Sequence, residues 1–391
     1  MKHIEKYLTP VDKETLGLSE NLHPQQLGSC TAFYSPAAAI SLDEAEIGII
    51  GIPESRNHYQ NASCQLAPDE IRRLFYQLYN WKKAVKIVDF GNFVIGETIE
   101  DSYIAIAELT AHLLQHNIIP VVLGGSNDLA YALYSAYVTL EQVVNMVAVD
   151  SRFDLGSEES PIKANAYLDK IVMQQPNFLL NYANIGYQSY LVASESSELM
   201  RQLFFETYRV GMMRKNMEEI EPIVRNADLL TIDMAAVRRA DAPGSPHSTV
   251  SGFYGEEICQ VAQFAGMSDK LTMFGIFEFD PMQDYNSQTA QLVSHILWYF
   301  VEGYLHRAGD TLFKNKTAYT QHSITVSDTT QDLIFYCSKQ TNRWWMVVPV
   351  VNLSKNMERF YFLPCTLKEF EMACENKIPE RWWRTYHKLN R

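Results

Sequence analysis

The sequence predicts an α/β fold, a mainly parallel sheet covered by helices, followed after about residue 310 by an antiparallel β-rich extension. Two observations carry this. Short apolar runs alternate with longer amphipathic stretches over most of the chain, and beyond residue 310 that alternation stops. The apolar runs expected as strands are 46–53 (EIGIIGIP), 84–91 (AVKIVDFG), 118–125 (IIPVVLGG), 146–150 (MVAVD), 178–186 (FLLNYANIG), 207–212 (TYRVGM), 228–234 (DLLTIDM) and 271–280 (LTMFGIFEFD). Between them, 68–81 and 102–117 carry apolar residues at helical spacing, and Pro68, Asp69 and Glu70 suit a helix start, where free amides favour negative charge. The stretches 252–267 and 289–307 read as helices in the same way, the second largely buried. In the extension, SITV, LIFYCS, RWWMVV and FYFLP are short strands, LKEFEMACEN is a helix, and RWWRTY falls in a tail. Four of the six tryptophans lie there, which is expected to fill a small core. The expected division is an N-terminal segment 1–45 packed on the core, an α/β domain 46–310 and the extension 311–391.

A chain of 391 residues, 47% of them hydrophobic, can bury one large core. Its net charge of −13 argues against nucleic acid or an anionic membrane as the main partner, since both need a basic face. No signal peptide and no run of about 18 apolar residues is visible, so membrane insertion is not expected and a cytoplasmic location is. The six cysteines lack metal-binding or disulfide spacing and are expected as buried thiols.

Polar residues at the carboxyl ends of parallel strands mark a site, because ligands bind there. In VAVDSRFDLG (147–156), a strand runs directly into Asp150, Arg152 and Asp154. Together with GIP (51–53), APDEIRR (67–73), VDFGN (88–92), VVLGGSND (121–128), LLTIDMAAVRRADAPG (229–244) and FEFDPMQD (277–284), it resembles, in order and spacing, the arginase, agmatinase and formimidoylglutamase family. The resemblance runs from about 46 to about 306. It implies a three-layer α/β/α fold with an eight-stranded, mostly parallel sheet, and an oligomer. It also implies hydrolysis of a guanidine or amidine carbon by hydroxide shared between two manganese ions, whose ligands come from GGDH, DAHxD and SxDxD motifs.

This chain departs from those motifs. Asn127, followed by Asp128, stands at the first ligand histidine; Arg152 stands at the histidine between Asp150 and Asp154; Asp233 is kept, but Ala235 replaces the next acid. No histidine occurs between 117 and 246, so the family's proton-shuttling histidine is also missing from the loop 156–170. Asp150, Asp154 and Asp233 are left as residual metal candidates. Their mutual repulsion is expected to be relieved by the Arg152 guanidinium, a permanent cation able to pair with carboxylates. Glu278 matches the acid that faces the substrate in the family, and His247 and Asn165 are further pocket candidates. The expectation drawn from these substitutions is a protein without a metal cofactor, a pseudoenzyme with a binding, regulatory or scaffolding role that meets a protein partner through its extension. The alternative is a hydrolase of a linear amidine or guanidine, formimidoylglutamase-like or agmatinase-like, with an altered or metal-free site; manganese belongs to this alternative alone.

Overall fold

The computed structural model describes residues 5–12, 17, 22–36, 42, 45–58, 62–156, 164–310, 316–327, 332–350 and 360–390. Parts of the expected N-terminal segment, the loop 157–163 and the start of the extension at 311–315 lie outside the described residues. The strands are β1 (Leu8–Thr9), β2 (Ala32–Phe33), β3 (Ile47–Gly51), β4 (Ile87–Phe93), β5 (Ile119–Leu123), β6 (Val144–Val149), β7 (Leu179–Tyr187), β8 (Glu206–Arg209), β9 (Leu229–Asp233), β10 (Met273–Phe277), β11 (Tyr319–Ile324), β12 (Leu333–Ser338), β13 (Trp344–Val347) and β14 (Phe362–Cys365). The first ten form one sheet in the order β1-β4-β3-β5-β10-β9-β6-β7-β8, with β2 beside β4. All eight strands expected from the apolar runs are in it, mutually parallel; only β1 runs antiparallel, along β4.

Strands such as IGIIG in β3 and IPVVL in β5 are buried at every residue. That is why they are continuously apolar rather than alternating: both faces of a parallel sheet are covered. One face carries Ala67–Phe75, Gly255–Gly266 and Gln288–Leu305, which share a core with Ile47 and Ile49 of β3. The other carries Ile99–Gln115 and Leu129–Thr139, which pack with Ile50. Thr98 and Asp101 start the helix Ile99–Gln115 with a capping box, satisfying two otherwise orphaned backbone donors. The APDEIRR and VDFGN segments meet inside the sheet: Arg72, fully buried, makes paired bonds to Asp89 (Nε–Oδ2 2.8 Å, Nη2–Oδ1 2.9 Å) and a third to the Gly91 carbonyl.

Two boundaries differ from expectation. The strand expected over 207–212 ends at Arg209, and Val210–Lys215 turns into a short helix. The helix expected over 68–81 stops at Phe75, because the chain turns back to hydrogen-bond with Leu27 and Gly28.

The extension forms a separate antiparallel sheet, β11-β12-β13-β14. Its RWWRTY segment is no tail but part of a helix, Glu380–Leu389, in which Trp382 stacks on Tyr386 one turn later and donates from Nε1 to the Val347 carbonyl at 2.6 Å. Tertiary packing of that amphipathic face stabilises a ten-residue helix that is marginal in isolation. Of the four tryptophans, Trp345 and Trp382 are buried, Trp344 is half-buried and Trp383 is exposed. The extension docks on the β8 side of the main sheet. Arg381 pairs with Glu206 of β8 at 2.9 Å, Arg343 pairs with Glu221 at 3.2 Å, and the Arg225 guanidinium lies 4.3 Å from the Trp345 ring centre. Covering a terminal strand removes a template for unwanted pairing.

Burial by itself would raise the Glu206 carboxyl, but Arg381, the Tyr208 hydroxyl, Lys388 and Asn181 outweigh it and hold the group at about 2. Because its folded value is depressed, the stabilisation is complete above the unfolded value of 4.5 and is lost as pH falls toward about 2. Replacing Arg381 with alanine is expected to cost about 3–5 kcal/mol at neutral pH, since Glu206 would remain buried without its partner. Urea unfolding at pH 7 and pH 3 checks this; the variant's deficit should shrink on the acid side.

Candidate metal centre

Strands β3, β5, β10, β9 and β6 are neighbours in that order, so their carboxyl ends open onto one cavity of about 250 Å³. Asp150 follows β6, Asp154 comes four residues on with φ +50°, and Asp233 closes β9. One carboxylate oxygen from each lies within 4.8 Å of the others, and all three side chains are buried.

The β5 end sets the neighbouring geometry. Gly124 and Gly125 both have positive φ, +80° and +77°, and a Cβ on Gly125 would sit 2.4 Å from Leu129 Cδ1. Only glycine allows so tight a turn here. It delivers Asn127, whose amide N donates to Glu278 Oε1 at 2.8 Å and whose Nδ2 donates to Asp154 Oδ2 at 2.7 Å. Asn127 Oδ1 is buried without a hydrogen-bond partner. Glu278, just past β10, has φ +64°, a conformation that L residues adopt only where the surroundings impose it.

Burial raises the Asp150 carboxyl, opposed by its hydrogen bond with Asp154 and by the amide and charge of Arg152. Asp154 is pushed well above the carboxylate range by burial, then by Asp150, Asp233 and Glu278; Asp233 is pushed up by burial, Asp150 and Glu278. Burial and crowding therefore favour the protonated form of these acids, and a bound cation would oppose it.

Arg152 does not pair with the acids as expected. Its amide N donates to Asp150 Oδ1 at 2.9 Å and its carbonyl accepts from Asn184 Nδ2 at 2.6 Å, which anchors the backbone. The guanidinium lines the cavity and, among the described residues, forms no ion pair; only its field reaches Asp150 and Asp233. Asp128 stays behind the cavity, where its carboxylate already accepts from the Ser126 and Tyr103 hydroxyls and, at 3.2 Å, from Asn57 Nδ2. Ala235 lines the wall and its amide N caps Asp233 Oδ1 at 2.7 Å. Asn165 and His247 also line the cavity.

Sequence reasoning missed His58. Its Nε2 lies 3.0 Å from Nε2 of His247 and 3.6 Å from Glu278 Oε2. Burial lowers the pKa of both imidazoles, that of His247 to about 4 with help from His58, Arg152 and Arg239, so both are neutral at pH 7. His58 belongs to none of the metal-ligand motifs; its one signal is a position seven residues beyond Gly51, at the ligand-binding end of β3.

The donor set fits a divalent cation. Three crowded carboxyl groups, with a carbonyl oxygen lacking any hydrogen-bond partner beside them, are hard oxygen ligands of the kind manganese takes.

Residues 45–302 match the family model for the arginase family. The chain is similar to a formimidoylglutamase of Staphylococcus aureus, 25% identical over 267 residues that cover 66% of this chain and 86% of that protein. Its fold is similar to that of Trypanosoma cruzi formiminoglutamase solved with Mn2+ (TM-score 0.65, 17% identity, 72% of this chain and 99% of that one). It is similar also to that of Thermoplasma volcanium agmatine ureohydrolase (TM-score 0.58, 19% identity, 74% and 97%). The expectation of no metal cofactor is thereby overturned: it counted ligands by motif position, whereas the three aspartates converge into a metal-capable cluster and a fold neighbour holds manganese. With a three-layer α/β/α architecture around a mostly parallel sheet and a family match over most of its length, this chain belongs to the arginase family.

Proposed function

We propose that the protein is a divalent-metal-dependent hydrolase of a linear amidine that also carries a carboxylate, a class to which formimidoyl amino acids belong. One observation carries this reading: the same cavity holds the buried trio Asp150, Asp154 and Asp233 and a guanidinium, Arg152, that has no carboxylate partner among the described residues. The other cavity arginine, Arg56, is already committed, with Nη2 2.6 Å from Glu54 Oε2 and further bonds to the carbonyls of Gly96, Glu97 and Thr98. Arg152 is therefore placed to take a substrate carboxylate in paired hydrogen bonds, which agmatine, having no carboxylate, does not offer. A bound divalent ion supplies a water acidic enough to attack near neutral pH. Water adds to the amidine carbon, the C–N bond to the amino acid breaks, and formamide and the free amine leave. The formimidoylglutamases among the relatives support the substrate class.

A second reading, a binding or regulatory protein without turnover, is favoured by Asn127, Arg152 and Ala235 at ligand positions of the family pattern. Assaying manganese-loaded protein on N-formimidoyl-L-glutamate, agmatine and arginine separates the two. Formamide release from the first substrate alone is expected. Arg152→Ala should raise KM for it about 10- to 100-fold, the worth of a charge-assisted bond, with kcat less affected. No release from any of the three, alongside a ligand-induced rise in melting temperature, selects the second reading.

Metal binding is checked without turnover. Because the folded carboxyl values are raised, the trio's protonated form favours the native state fully below the unfolded aspartate value of 3.8, and this is lost as pH rises through the folded values. Manganese must displace those protons, so its stabilisation should grow from pH 5.5 to pH 8, reaching about 2.7 kcal/mol at a hundredfold excess over Kd. Asp233→Asn should melt higher than wild type without metal at pH 8 and gain nothing from manganese; differential scanning calorimetry reads both.

A further inference from the structure

We propose that His58, His247 and Glu278 form a second divalent-cation site in this cavity, one that takes an imidazole-preferring ion such as zinc or cobalt(II). The inference deepens the metal-dependent reading above. One ligand atom from each residue lies within 4.8 Å of the others, and both imidazoles turn Nε2 inward, 3.0 Å apart. Two nitrogens on one tetrahedral ion at 2.0–2.1 Å stand about 3.3 Å apart, so little movement closes the site. Two imidazoles with one carboxylate suit zinc, cobalt or iron, whereas the neighbouring oxygen-only trio suits manganese.

The chain beside each histidine is anchored, on both sides of His247 and ahead of His58. Arg239 donates to the Pro246 and Ser248 carbonyls that flank His247, at 3.0 and 2.9 Å. Before His58, Asn57 Nδ2 donates to the Tyr103 hydroxyl at 2.7 Å, and Arg56 bonds to Glu54 and to the carbonyls at 96–98. These bonds fix the chain that carries the two rings, while His58 Nδ1 is itself buried without a hydrogen-bond partner. A second observation points to a ligand here. Asn127 bridges the two clusters, its backbone N–H on Glu278 and its Nδ2 on Asp154, and its buried Oδ1, 3% exposed as a residue, has no hydrogen-bond partner in the cavity that it lines. The imidazoles that the family motifs have lost at Asn127 and Arg152 are thus supplied from the loops after β3 and β9. The contact between the rings also serves as an N–H···N hydrogen bond, and a metal-free pair of that kind is the competing outcome.

The test is equilibrium dialysis of the full chain against cobalt(II), with bound metal counted by mass spectrometry and the ligand field read from the visible spectrum. Two equivalents are expected for wild type. His247→Gln and His58→Gln should each remove one equivalent together with the nitrogen-ligated absorption band, while Asp233→Asn removes the other and leaves that band. A histidine-ring NMR titration of wild type with zinc keeps the proposal testable should a variant fold poorly: two rings must shift together at one equivalent. One equivalent insensitive to both histidine variants, with unmoved rings, overturns this proposal and leaves the aspartate site standing. One equivalent lost only with the histidines supports it and overturns the aspartate site. No binding at all overturns both.

Discussion

Three carboxylates buried at the ends of neighbouring strands are the constraint around which this molecule is arranged. Each loses several kcal/mol of hydration on leaving water, and their mutual repulsion adds to that. The sheet order leaves no alternative placement, since β9 lies directly beside β6 and delivers Asp233 against Asp150 and Asp154. The rest of the site relieves that crowding. Asn127 donates to Asp154, the Ala235 and Arg152 amides donate to Asp233 and Asp150, and the Arg152 guanidinium contributes its field from the cavity wall. The acid values stay raised all the same, first by burial and then, at Asp154 and Asp233, by the neighbouring carboxylates.

Strain at the site has the same origin. Asp154 and Glu278 both occupy left-handed backbone conformations that a side chain disfavours by about 1–3 kcal/mol. At Glu278 the surroundings that impose it are the paired glycines at 124 and 125 and the bond from the Glu278 amide to the Gly125 carbonyl at 3.1 Å. Stability is given up locally to aim two carboxylates into the cavity. The Arg72–Asp89 pair and the two covered faces of the sheet offset that cost at a distance.

The strands were legible in the sequence because a parallel sheet buried on both faces leaves uninterrupted apolar runs, and their carboxyl ends were legible because polar residues stop those runs abruptly. Asp150 and Asp154 could therefore be placed in advance, whereas Asp233, Asn127 and Glu278 were placed by the resemblance of their segments to the family's motifs. What sequence concealed depended on approach through space. His58 is separated from His247 by 189 positions and joins it only because β3 and β9 open onto the same cavity. The helix Glu380–Leu389 was hidden in a run of aromatic and basic residues until Trp382 found the Val347 carbonyl. Counting ligands by motif position failed for a related reason: it registers which donors have left but not which have arrived from elsewhere.

The move of imidazoles from strand ends to loops has an energetic consequence. A ligand on a strand end is held by the ladder, as Asp233 is by its pairing with Phe277 of β10. His58 and His247 depend instead on side-chain clamps from Arg56, Asn57 and Arg239, whose bonds reach solvent more readily than the sheet does. Closing an ion between two loops then costs ordering entropy that the aspartate trio does not bear. The trio offers three carboxyl groups against one beside the histidines, so an oxygen-preferring ion favours it. Asn127 joins the two clusters, its backbone N–H on Glu278 and its Nδ2 on Asp154, so a shift of either carboxylate is passed to the other through one side chain held at both ends.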